Sequence, residues 1–90
     1  MLLSKSLAIG DSLGTIYDFE KKGDILDKHT HTRRDVHYSI VARGSFKVYG
    51  DDFEQAVPAG TVLDWEEGVN HGFIALEDNS RLINIIKYRV

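Results

Sequence analysis

Eight glycines and a single proline punctuate this chain of 90 residues. Between them, no apolar stretch keeps the i, i+3, i+4, i+7 spacing of an amphipathic helix for long enough to form one. The intervening segments are short and rich in Val, Ile, Tyr, Phe and Thr, residues that suit a half-buried pleated surface. Strands are predicted over 15–19, 36–42, 61–65, 71–76 and 81–90, and a hairpin over 45–60 that turns at Gly50-Asp51-Asp52. In that hairpin Phe46, Val48, Phe53 and Val57 face alternate sides. Roughly seven to nine short strands joined by tight turns imply an all-β fold, an antiparallel barrel or jelly roll. With no linker, repeat or low-complexity run, residues 1–90 read as a single domain.

Composition narrows the function classes. The net charge is −3 and the pI about 5.7, without the basic stripe of a nucleic-acid binder; Arg33 and Arg34 are an isolated pair. No cysteine is present, which removes disulfides, thiolate metal sites and cysteine nucleophiles together. Lys5 and two serines interrupt the apolar start, so no signal-peptide core or membrane span is expected and a cytoplasmic location is the default. A chain this short buries a modest core and is often helped by a metal or a partner subunit.

The four histidines are unevenly placed: His29, His31 and His37 fall within nine residues, and His71 stands alone downstream. On an extended segment His29 and His31 share a face, roughly 6–7 Å apart at the backbone, and two imidazoles so placed can converge on one ion. His37 joins them only if the chain reverses, and Thr32-Arg33-Arg34-Asp35 is a polar segment able to do so. On the following strand Asp35, His37, Ser39 and Val41 share one face, and Val36, Tyr38 and Ile40 the other. A histidine-rich surface hairpin would account for these residues equally well at this point.

Spacing to the rest of the chain adds a resemblance. From Gly23 onward the chain resembles the cupins, small β-barrels marked by two short motifs. The first motif is Gly, five residues, His-x-His, a short gap, Glu, six residues, Gly. Gly23, His29, His31 and Gly44 fit it over about 23–44, with His37 standing where the family has glutamate. In the second motif, over about 60–75, Gly60, Gly68 and His71 are in register, while Glu66 replaces a proline and Ala75 an asparagine.

The resemblance implies a small single-domain RmlC-like cupin with one divalent transition metal held by His29, His31, His37 and His71. Asp35, at the family's usual gap from His31, is the alternative to His37, or else a carboxylate that orients an imidazole. Four neutral imidazoles favour Zn, Fe, Ni or Cu over Mn or Mg. Their uncompensated charge favours a small anionic ligand. Ser39, Trp65 and Phe73 are expected to line the pocket. The implied activity is that of a dioxygenase or isomerase acting on a small oxygenated acid. The alternatives are a non-enzymatic cupin that binds a metal or small ligand, and a structural cupin with vestigial histidines. Small cupins of this kind pair through edge strands, so a homodimer is expected, with the Leu-rich start and the strand Leu82-Ile83-Asn84-Ile85-Ile86-Lys87-Tyr88 as candidate contacts.

Overall fold

The structure is a computed structural model that describes residues 1–30 and 34–88, and the backbone alone at Arg34, Asp35 and Tyr88. Nine strands are described: β1 (Leu2–Ile9), β2 (Ser12–Phe19), β3 (Ile25–His29), β4 (Arg34–Arg43), β5 (Ser45–Tyr49), β6 (Glu54–Pro58), β7 (Val62–Asp64), β8 (His71–Ala75) and β9 (Ser80–Tyr88). They form two antiparallel sheets, one ordered β1-β2-β9-β4-β7 and the other β3-β8-β5-β6. Among the described residues no helix is long and apolar enough to cross a membrane.

The expected strands form, with three differences. First, the hairpin predicted over 45–60 turns where expected, between β5 and β6, its neck closed by Gly50 N–H donating to the Phe53 carbonyl at 2.8 Å. Phe53 itself precedes β6 and is 37% exposed, so it joins neither face of the hairpin's core. Second, β3 and β4 lie in different sheets. His31 lies outside the described residues. Third, the apolar C-terminal strand is not an edge. β9 is flanked by β2 and β4, its ladder bonds are taken on both sides, and it cannot pair by its edge with another chain. Sequence could not show this because a central and an edge strand share the same apolar alternation.

Inside the barrel the side chains follow strict alternation. From β9 come Ser80, Leu82, Asn84 and Ile86, and from β4 His37, Ser39 and Val41, all buried, whereas Tyr38, Ile85 and Lys87 face outward. Three phenylalanines fill one end. The Phe46 ring meets Phe19 edge-on at 4.7 Å and Phe73 at 6.1 Å, geometries that the ring quadrupole favours, and Leu82, Val41, Val57 and Ala75 pack around them. Gly44 joins β4 to β5 at that end with φ of +77°, a region that an L side chain enters only with strain. A Cβ there would run into the Ser80 side chain and come within 3.0 Å of its Cα. The other glycines of the two motifs, Gly23, Gly60 and Gly68, also have positive φ, so the motif glycines shape turns.

Candidate metal centre

The interior changes character along each strand. On β4 the inward residues read Val41, Ser39, His37; on β8 they read Ala75, Phe73, His71; on β2, Phe19, Tyr17, Thr15. Two steps along a strand move a side chain ~7 Å along the barrel on the same face. The polar residues of three strands therefore collect at one end, and β3 adds His29 opposite His71 through a direct pairing.

Three imidazoles meet there. The His71 ring centroid lies 4.7 Å from that of His29 and 4.9 Å from that of His37. Imidazoles held ~2.1 Å from a common ion, at angles from octahedral to tetrahedral, would have centroids roughly 4.5–5.2 Å apart. The observed separations fall in that window. His37 and His71 are fully buried, and His29 is half-buried at the rim.

Two hydrogen bonds set the tautomers. His29 Nδ1 lies 2.8 Å from the Asp27 carbonyl oxygen, and His71 Nδ1 lies 3.0 Å from that of Val69. A carbonyl oxygen only accepts, so Nδ1–H donates in both rings. In a neutral imidazole this leaves the lone pair on Nε2. A histidine that ligates a metal typically donates its other ring N–H to such a carbonyl. The donor chemistry thus fits a divalent metal bound through Nε2.

The remaining wall is held by Trp65. Its indole stacks on His71 at 4.0 Å and 5° between planes, and its Nε1–H donates to Ser39 Oγ at 2.9 Å. Ser39 Oγ–H in turn donates to Asn84 Oδ1 at 2.7 Å. Trp65 N–H also donates to the His37 carbonyl at 2.9 Å, which fixes the end of β7 against β4. At the rim, Asp51 accepts from Lys28 Nζ at 2.6 Å and from Asn70 Nδ2 at 3.0 Å. The Lys28 ammonium, then the Asn70 amide, hold the Asp51 carboxyl below the usual carboxylate range. A hollow of about 350 Å³ opens beside His29, between β1–β2 and β3, lined by Leu2, Tyr17, Ile25, Leu26, Asp27, Lys28 and His29.

Of the residues named from sequence, His29, His37 and His71 come together, and Ser39, Trp65 and Phe73 border them. His31 and the side chain of Asp35 lie outside the described residues. The β4–β9 register shifts between Arg34 and Val36. Among the described residues no group of three or more His, Asp or Glu is arranged to hold a metal by itself. Sequence reading missed the Trp65 stack and the two Nδ1–carbonyl bonds, for which a linear sequence carries no signal.

No family model matches the chain, and no curated protein does. Solved structures match over nearly its whole length. A KdgF from Halomonas sp. superposes with a TM-score of 0.85 at 23% identity, covering 99% of this chain and 82% of that one. An RmlC-like cupin from Desulfovibrio desulfuricans gives 0.85 at 22%, covering 99% and 84%. A Cupin 2 conserved barrel domain protein from Salinispora arenicola gives 0.80 at 16%, covering 96% and 75%. The chain therefore has the fold of the small RmlC-like cupins. Identities this low establish the fold and leave the activity to the site.

Proposed function

We propose that the chain is a metal-binding cupin in which His29, His37 and His71, together with His31, hold one late first-row divalent ion and present it to a small anionic ligand. The observation that carries this reading is the pair of Nδ1–H bonds to the Asp27 and Val69 carbonyls, which leaves an Nε2 lone pair on two rings already at ligand spacing. An ion so bound supplies Lewis acidity and, for iron or copper, redox chemistry to an oxygen ligand. Four neutral donors contribute no charge, so an anion is favoured at any further position. The hollow beside His29, about 350 Å³, has room for a small oxygenated acid.

One observation favours binding over catalysis by a dioxygenase or isomerase. Two inward polar groups that could position a substrate, Ser39 and Asn84, are bonded to each other, and Ser39 also accepts from Trp65. They rigidify the wall.

Trp65 is the chain's one tryptophan and touches His71, which gives an optical readout. Titrating metal-free, untagged protein with Cu²⁺ or Ni²⁺ is expected to quench its fluorescence with a one-to-one endpoint. His37→Ala and His71→Ala should each weaken binding by more than the ~100-fold upper range for an outer-shell change. Retained affinity in both variants would overturn the reading, and loss on Asp35→Ala with retention on His37→Ala would move the fourth ligand to Asp35. Oxygen uptake or turnover of small acids that vanishes with His31→Ala would add catalysis.

A further inference from the structure

His29 reaches the barrel interior against the alternation of its own strand. Leu26 pairs with Phe73 and His29 with His71, so three steps along β3 match two along β8. One extra residue is thereby inserted at Asp27-Lys28, a β-bulge, and a bulge re-aims the side chains that follow it. Leu26 and His29 are half-buried on either side of it, while Asp27 and Lys28 are exposed. An unbroken ladder continued from the Leu26–Phe73 pair would set Lys28 opposite His71 and turn His29 to the other face. The bulge decides whether an imidazole or an ammonium stands beside His71.

Three contacts hold the bulge. The Asp27 carbonyl, within it, accepts from His29 Nδ1–H at 2.8 Å. The Lys28 ammonium is drawn outward to Asp51, 2.6 Å away in the turn between β5 and β6. The Lys28 backbone nitrogen lies against Gly72 of β8, where a Cβ would come within 2.9 Å of it. On its other side Gly72 pairs with Tyr49, whose ring lies over it, so the same Cβ would be 2.6 Å from Cζ and 2.7 Å from Oη. The tyrosine ring is the end of a rotatable side chain and can swing aside. The backbone nitrogen of a paired strand cannot. The φ of Gly72 is not positive, so its own conformation does not call for glycine. A glycine in mid-strand often marks the close approach of another backbone, and here that backbone is the bulge.

We infer that Gly72 is a positioning residue: by leaving room for the Lys28 backbone, it permits the bulge that turns His29, and not Lys28, toward His71. A side chain at position 72 relieves the crowding by expelling the extra residue, which restores the unbroken ladder and takes His29 out of the interior. What the turn is for rests on the metal-binding reading above, since it brings the His29 Nε2 lone pair to the other rings. The bulge itself belongs to the metal-free chain and is testable there.

Nuclear Overhauser contacts between ring protons of the metal-free protein are the first test. His71 in the wild type should show cross-peaks to both His29 and His37, whose ring centroids lie 4.7 and 4.9 Å from its own. Gly72→Ala should lose the His29 cross-peaks and keep those of His37. Loss of both, or of neither, would overturn the inference. Where Gly72→Ala does not fold, deletion of Lys28 provides the second variant, because it removes the extra residue. Combined with Gly72→Ala it should restore folding and the His29–His71 cross-peaks, and no restoration would overturn the inference as well. Titration with Cu²⁺ or Ni²⁺ then reads the consequence. Gly72→Ala should weaken binding by about 10–100-fold, the range for a group that orients a ligand. In a His29→Ala background the same substitution should change affinity by no more than about twofold, because it acts through His29. Additive losses would overturn the inference. A wild type that binds neither ion would instead overturn the metal-binding reading, with the cross-peaks still deciding the role of Gly72.

Discussion

The two ends of this barrel are built from the same strands to opposite ends. At one, Phe19, Phe46, Phe73, Leu82 and Val41 pack edge to face and side by side. At the other, His37, His71, Ser39 and Asn84 are just as buried but polar. The transition takes a step of two residues on β4, β8 and β9. The apolar end stabilises the fold, since each fully buried side chain of this kind contributes ~1.5–3 kcal/mol. Burial of polar groups is at best neutral unless every one is bonded, so the imidazole end draws its support from the other.

That contrast can be tested from its strongest side downward. Phe46→Ala should cost ~3–5 kcal/mol of unfolding free energy in denaturant titrations, by removing the ring that both other phenylalanines touch. At the polar end Ser39→Ala strands Trp65 Nε1–H and Asn84 Oδ1 inside the barrel. It should cost ~1–3 kcal/mol and shift the Trp65 emission maximum. His37→Leu replaces a buried imidazole by an apolar side chain of similar size. Its effect on the metal-free protein should stay within ~1.5 kcal/mol, whereas metal affinity collapses. Equal losses of stability in Phe46→Ala and His37→Leu would erase the distinction between the ends.

The smallest effect is electrostatic. Asp51 has its folded pKa lowered by Lys28 and then Asn70, so the stability it contributes is present above its unfolded value, ~3.9, and is lost as pH falls through the lower folded value. Asp24, held by the N-terminal ammonium, and Asp18, held by Arg81, are shifted in the same direction elsewhere in the molecule. Melting temperature is therefore expected to fall below about pH 4. Asp51→Asn should remove only the share belonging to the Lys28–Asp51–Asn70 rim; an unchanged acid profile would show that the rim contributes nothing.

Much of the fold was legible because strands announce themselves locally. The period of two placed His37, Ser39 and Val41 on one face, and they are on one face, inside. The motif glycines were legible because Gly23, Gly44, Gly60 and Gly68 all take positive φ, a backbone need that leaves its mark on composition. The edge assignment of the last strand was not legible, because an apolar alternation reports burial and not the number of neighbours. Phe53 was misplaced for a related reason: one residue between turn and strand takes it out of register.

For the site, the sequence determined which chemistry is available: imidazoles and no thiolate, at spacings that suit an ion. Only the tertiary structure decided that β3 and β8 bring His29 beside His71, that β4 from the opposite sheet brings His37 to the same ring, and that Trp65 lies flat against it. Those contacts join residues six to forty-two positions apart across two sheets. Local backbone preference fixes the face on which a side chain stands. Which faces meet depends on closing the barrel, and that is driven by the apolar end.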